Sequence, residues 1–223
     1  MRNAPAPMRF AGVVPASGVS RRMGRAKALL DLNGETFLRR VVRALSDGGC
    51  SPVLVVAQPG QADIAEEACR AGADLLVNPD PGEGPITSLR IALREIGDSV
   101  DGVAYLPVDH PLVRASTVAK LLEAAHSAGV ALTLPVHGAK RGHPAIFHRA
   151  LFGELLDSDL EGGARAVVHR HLESARLLDL TDPGVIVDID TPEAYHAALK
   201  AHEAAGASAA PEVEAEGRGR GER

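Results

Sequence analysis

From Ala16 to Lys27 the chain reads Ala-Ser-Gly-Val-Ser-Arg-Arg-Met-Gly-Arg-Ala-Lys. Small residues and glycines such as Ala16, Ser17 and Gly18 let backbone N–H groups come close to an anion. Arg22 adds a planar fork of donors, and Lys27 a mobile point charge. Such a segment can cradle a triphosphate. Its spacing is not that of a P-loop, which needs four residues between its glycines and a Lys-Ser/Thr pair directly after. The G-x-G-x-x-G fingerprint of dinucleotide-binding dehydrogenases is also missing. Without a ligand the same segment would be a basic, glycine-rich surface loop.

Three further clusters have chemical potential. In Leu106-Pro107-Val108-Asp109-His110-Pro111 a carboxylate follows directly on a buried strand. That position suits a hard cation that bridges phosphates, or else the cap of the next helix. In Val187-Asp188-Ile189-Asp190-Thr191-Pro192-Glu193, residue alternation places Asp188 and Asp190 on one strand face. Either can complete a metal site with Asp109, although Asp190 or Thr191 can equally cap the helix that Pro192 begins. Gly142-His143-Pro144 reads as a turn entering a strand. His169 and His171 stand two apart on a predicted helix, so they point in different directions and do not form a metal pair.

These groups need a scaffold that gathers them. Apolar runs at 10–15, 53–57, 74–77, 102–107 and 130–135 read as strands. Amphipathic stretches near 35–46, 61–71, 87–96 and 115–128 read as helices, the third capped by Thr87 or a neighbour. Residues 78–84 are a turn-rich loop, and 137–144 an excursion from the core. Helices near 149–156 and 163–172, strands near 176–180 and 185–188, and a helix from Thr191 complete the pattern. Apolar strands alternating with helices imply βαβ units and a mostly parallel sheet, which binds ligands at the carboxyl ends of its strands. The domain boundaries follow: an N-terminal extension over 1–9, one domain over 10–203, and a disordered tail over 204–223, where Ala, Glu and Gly dominate.

Composition narrows the function classes. Aromatics are only 3%, with no Trp, which argues against stacking platforms for single-stranded nucleic acid. The net charge of -5 supplies no field to attract nucleic acid. No apolar run approaches the roughly 18 residues of a membrane helix. Residues 10–16 read as a first strand rather than a signal peptide, because Gly12 and Pro15 interrupt them and Arg21 and Arg22 follow; Met8 is an alternative start to Met1. Cys50 and Cys69 lie far apart without ligand spacing, so the expected compartment is a reducing cytoplasm.

In this order and spacing, the segments resemble the molybdenum-cofactor nucleotidyltransferase family, and most closely its molybdopterin cytidylyltransferase-like branch. The family opens Leu-Ala-Ala-Gly-x-Ser-x-Arg-Met-Gly-x-x-Lys, and this chain reads Pro15-Ala16-Ser17-Gly18-Val19-Ser20-Arg21-Arg22-Met23-Gly24-Arg25-Ala26-Lys27. Asn78 through Gly84 to Ser88-Leu89 resembles its second nucleotide-side loop. Asp109-His110-Pro111 resembles its Asp-x-Pro metal site, and Asp188 to Glu193 its closing Asp-x-Asp-Thr-Pro-Glu. Gly142-His143-Pro144 and Gly163-Ala164-Arg165 resemble acceptor-side segments. The likeness spans roughly residues 10–200.

The resemblance implies a single-domain, Rossmann-like α/β sandwich of the nucleotide-diphospho-sugar transferase type, with a mixed but mostly parallel sheet. It implies transfer of NMP from an NTP to a phosphorylated acceptor such as molybdopterin, with release of pyrophosphate. Arg22, Lys27 and Asp109 would be catalytic. Ala16, Ser17, Gly18, Ser20, Arg22, Lys27, Gln58, Asn78, Asp80, Gly84 and Ser88 would bind the nucleotide. Arg141, His143 and Arg165 would bind the acceptor. Asp109, with Asp190 or Asp188, would hold Mg²⁺ or Mn²⁺. An already ionised acceptor phosphate needs no general base.

In the family an Ala-Ala-Gly opening accompanies CTP and an Ala-Gly-Gly opening GTP. Ala16-Ser17-Gly18 matches neither, and CTP is favoured over GTP. Pro15, where the family has Leu, removes one ladder donor from the first strand. The expected partners are the NTP, the acceptor, and a molybdoenzyme or its chaperone, with the chain a monomer or weak homodimer. Two rival functions share the scaffold: transfer to a sugar phosphate or alcohol phosphate, and non-catalytic carriage of a cofactor precursor.

Overall fold

The six residues Phe10–Pro15 form strand β1, buried on both faces except at its last residue. In the computed structural model, which describes residues 8–18, 26–127 and 129–208, this strand lies near the middle of an eight-stranded sheet. Helix α1 (Phe37–Asp47), β2 (Val53–Ala57), α2 (Ala62–Arg70), β3 (Asp74–Val77), α3 (Pro85–Ile96) and β4 (Gly102–Tyr105) follow in turn. Next come α4 (Ala115–Ala125), β5 (Leu132–His137), β6 (Lys140–Arg141) and β7 (Ala145–His148). The chain continues through α5 (Phe152–Leu156), α6 (Gly163–Arg170), β8 (Arg176–Asp179) and α7 (Pro192–Ser208).

The strands lie in the order β3-β2-β1-β4-β7-β5, with β6 and β8 also pairing β5. The chain steps outward from β1 to β3, then returns to the other side of β1 as β4. The first four strands are parallel. Strand β7 runs antiparallel between β4 and β5, and β8 pairs β5 in parallel. The gap between β1 and β4 is therefore the topological switch point, where such sheets bind ligands. Pro15 stands in register with Val56, and the ladder resumes where Ala16 N–H donates to Val56 O at 2.8 Å.

Alternate residues of each strand feed two cores. Phe10 and Val14 pack with Phe37, Val41 and Leu45 of α1, Ile64 of α2 and Val118 and Leu121 of α4. Ala11 and Val13 pack with Leu89 and Leu93 of α3, Leu155 of α5 and Val167 of α6. Helices therefore cover both faces, giving the three-layer α/β sandwich expected. Each large side chain buried this way contributes about 1.5–3 kcal/mol.

The structure departs from the sequence reading in four places. Helix α3 begins at Pro85 with Gly84 as its cap, not at Thr87. Proline suits the first helical turn, and the Thr87 hydroxyl instead donates back to Gly84 O at 2.8 Å. The excursion at 137–144 is a hairpin: Val136 and His137 pair with Arg141 and Lys140, and β7 then inserts into the sheet. The final helix runs to Ser208, past the expected tail boundary at 204, as alanine-rich sequence favours.

The fourth departure is at 185–188, where no strand forms among the described residues. Pro183–Ile186 is a 3₁₀ turn capped by Asp182. Asp182 is 4% exposed and accepts from Thr117 Oγ1 at 2.6 Å, Gly184 N at 3.0 Å and Arg114 N at 3.1 Å. It ties the segment leading to Asp190 to the segment following Asp109. Asp182→Ala should lower the unfolding free energy by about 3 kcal/mol, because buried donors lose their acceptor. Urea unfolding checks this, and an unchanged midpoint would contradict it.

Candidate nucleotide and acceptor site

Three strand ends converge on one cleft of about 360 Å³. The turn after β1 contributes Ala16, Ser17 and Gly18; the loop after β3 contributes Pro81 and Gly84; the segment after β4 contributes Val108 and Asp109. Lys27 opens a short 3₁₀ turn, Lys27–Leu29, whose Ala28 is buried. Its ammonium reaches both Asp109, at 3.4 Å, and Asp190. A lysine and two aspartates from distant parts of the chain thus meet at the switch point. Ser20 and Arg22 lie outside the described residues.

Electrostatics at this meeting point are opposed. Burial pushes the Asp109 carboxyl above its usual range, and the neighbouring Asp190 charge adds to the rise, while Lys27 holds it down. Asp188 also lines the cleft but is exposed, and its charge acts on His110 rather than pairing with Lys27. The backbone of Ile189 is fixed to the Asp109 segment, its N–H donating to Asp109 O at 2.8 Å.

A second cleft of about 750 Å³ adjoins the first and shares Pro85, Tyr105 and His143 with it. Arg141, Arg165 and the largely buried Arg90 line it, against apolar Ile86, Leu134 and Phe147. No Asp or Glu lies in that lining among the described residues. The three expected acceptor residues, Arg141, His143 and Arg165, therefore share one cavity.

His143 stands at the junction. Its backbone N–H donates to Val185 O at 2.8 Å, and its ring packs on His110 with centroids 4.7 Å apart. Burial pushes His143 down to about 4 and lowers His110 as well, so both rings are neutral near pH 7. Each leaves a buried Nδ1 without a hydrogen-bond partner among the described residues.

Other expected nucleotide contacts are placed differently. The Gln58 side-chain amide donates to Ser17 O, and Asp80 accepts from Gly82 N at 3.2 Å as the cap of a 3₁₀ turn. Asn78 and Ser88 are buried and bonded to each other at 3.1 Å. None of these four lines the first cleft. Sequence reasoning missed Tyr105, His110 and Arg90. His110 was visible only as a neighbour of Asp109, and an arginine within an amphipathic helix carries no signal that it turns inward. His169 lines the second cleft and His171 pairs with Glu154 at 2.6 Å, so they are indeed apart.

A turn of small residues, a lysine and two carboxylates at the switch point of a doubly wound sheet mark a nucleotide-handling α/β transferase. The chain belongs to the MobA-like NTP transferase family, whose domain model matches residues 12–175. It is 32% identical over 183 residues to a probable molybdenum cofactor guanylyltransferase of Mycobacterium avium (strain 104), covering 81% of this chain and 86% of the relative. Rv0371c from Mycobacterium tuberculosis H37Rv superposes with a TM-score of 0.76 at 26% identity, over 86% of this chain and 98% of that one. A structure of Rv0371C in complex with manganese gives a TM-score of 0.72 at 24% identity, over 86% and 98% of the two chains. The fold is thus the nucleotide-diphospho-sugar transferase type that the resemblance implied. No helix among the described residues is long and apolar enough to cross a membrane.

Proposed function

We propose that the chain transfers GMP from GTP to the terminal phosphate of a molybdopterin-type acceptor and releases pyrophosphate. The observation that carries this is the convergence of Lys27, Asp109 and Asp190 beside the Ala16-Ser17-Gly18 turn, next to a second cleft rich in arginine. The guanylyltransferase relative speaks for GTP over the CTP favoured from the opening motif.

The first cleft takes the triphosphate. Backbone N–H groups of the turn approach its oxygens, and Lys27 neutralises charge on the departing pyrophosphate. Arg141 and Arg165 orient the acceptor's phosphate with its oxygen facing the α-phosphorus. That oxygen forms the new P–O bond as the bond to the β-phosphate oxygen breaks. Neutral His143, at the junction, can donate one hydrogen bond to either phosphate without adding charge.

The carboxylates fit a divalent cation. Among the described residues no group of three His, Cys, Asp or Glu gathers to hold a metal unaided. Mg²⁺ and Mn²⁺ commonly take one or two carboxylates and complete their shell with phosphate oxygens and water. Asp109 and Asp190 would hold it, Asp190 in preference to Asp188 because it shares Lys27 with Asp109. A cation there supplies charge neutralisation and polarises phosphoryl oxygens.

Pyrophosphate release tests the reading, with each of GTP, CTP, ATP and UTP, Mg²⁺ or Mn²⁺, and molybdopterin or a sugar 1-phosphate. GTP with molybdopterin should turn over fastest. Release that depends on the sugar phosphate would replace the acceptor assignment, and preference for CTP would replace the base.

A further inference from the structure

Ser17 puts a hydroxyl on the turn that lines the first cleft. The structure directs that hydroxyl elsewhere. Ser17 Oγ lies 2.8 Å from Ser88 Oγ, and the two residues are 6% and 0% exposed. Ser88 Oγ also accepts from Asn78 Nδ2 at 3.1 Å, and the same Nδ2 donates to Thr87 Oγ1 at 2.8 Å. Asn78 Oδ1 accepts from Asp80 N at 3.1 Å, and Asn78 N–H donates to Ala57 O at 2.7 Å. The Asn78 side chain therefore has both ends committed inside the protein.

We propose that Asn78, Ser88 and Ser17 form a buried hydrogen-bonded chain that positions the nucleotide cleft, and that the Ser17 hydroxyl does not read the base. The chain connects the turn after β1, the loop after β3 and the first turns of α3, segments up to 71 positions apart. Both parts of the chain line the cleft, Ala16 to Gly18 from the turn after β1, and Pro81, Gly84 and Pro85 from the loop after β3 and the start of α3. Two further ties reinforce it from behind: Gln58 to Ser17 O, and Thr87 Oγ1 to Gly84 O. Walls fixed before the ligand arrives need not lose conformational freedom on binding, so the benefit falls on nucleotide affinity. A buried hydroxyl whose partner is removed keeps its desolvation penalty, so deleting either serine should loosen the same contact.

This inference rests on the first cleft being the NTP site. Its test is steady-state kinetics of Ser17→Ala, Ser88→Ala and the double variant, with each of the four NTPs at saturating acceptor. The KM for NTP should rise about tenfold in Ser17→Ala, the size of one lost hydrogen bond, and at least as much in Ser88→Ala, which also loses the bond from Asn78 Nδ2. The kcat should change little, and the order of the four bases should stay that of the unaltered protein. The double variant should be no worse than Ser88→Ala alone, since that change already removes the contact with Ser17. If Ser88→Ala does not fold, Ser17→Ala carries the test, with hydrogen exchange at the amides of Gly84 to Ser88 expected to quicken. A changed base order in Ser17→Ala would show that the hydroxyl reads the base and overturn the proposal. Unchanged KM and exchange would overturn it as well. If the unaltered protein turns over no NTP, the nucleotide reading fails and takes this inference with it; normal turnover with unaffected serine variants sinks the inference alone.

Discussion

Asp109→Asn is expected to lower the rate of NMP transfer by about 10²–10³-fold, by analogy with loss of other preorganised charge stabilisers, without lowering the melting temperature. The two halves of this expectation share a cause. Asp109 is largely buried and faces Asp190, so its ionised form is disfavoured in the folded chain despite Lys27. A carboxyl whose pKa is raised on folding loses stability as pH rises through its titration range, so at neutral pH the charge is a net cost to the fold. Asparagine keeps the shape and removes that cost. The same change removes the anion that would share a cation with Asp190 and the phosphates. Activity should therefore collapse while thermal stability stays level or rises, the trade expected of a residue kept for its chemistry. Steady-state kinetics and a thermal melt on one preparation check both halves. A large fall in melting temperature would mark Asp109 as structural, and near-normal turnover would remove it from the site.

Gly142→Ala is expected to cost about 2–3 kcal/mol of stability and to weaken use of the acceptor. A Cβ at this position would stand 2.0 Å from Val185 O and 2.5 Å from Val185 C. Those are backbone atoms of the buried turn after β8, and they cannot swing aside as a flexible side chain would. Gly142 N–H also donates to Pro135 O at 3.0 Å, which holds the hairpin on its other side. The added methyl must push the hairpin and the 183–186 turn apart. His143, the next residue, would move off His110 and out of the junction between the two clefts. Urea unfolding should show the stability loss, and acceptor KM should rise more than NTP KM. Wild-type stability together with unchanged KM values would contradict the close approach.

The parallel half of the fold was legible because its signals are local. Val53–Ala57 is a continuous apolar run, and the Thr36-capped α1 ends at the glycine pair Gly48-Gly49. The second half was less so, because the direction of a strand is not written in four residues. Ala145–His148 reads the same whether it enters the sheet parallel or antiparallel. The Val185–Asp188 run looked like a strand, but Pro183-Gly184 and the Asp182 cap impose a turn that brings Gly184 against Leu112.

In the site, residues tied to short motifs could be read one by one. Lys27, Asp109 and Asp190 were singled out and meet in space. Asn78, Gln58 and Ser88 were read as polar groups facing a ligand, whereas each spends its side chain on another part of the protein. Pairing across ten or more positions leaves no periodic trace. Arg90, within α3, looks like any charge on a helix until Leu155 O and Asp157 O are seen to receive it.

The most direct measurement is a crystal structure grown with Mn²⁺ and a non-hydrolysable GTP analogue, with anomalous scattering recorded for manganese. The expected result is a manganese peak between Asp109 and Asp190, with the triphosphate against the Ala16-Ser17-Gly18 turn and Lys27 on its phosphates. A nucleotide bound elsewhere, or manganese held away from both carboxylates, would contradict a shared phosphate and metal site.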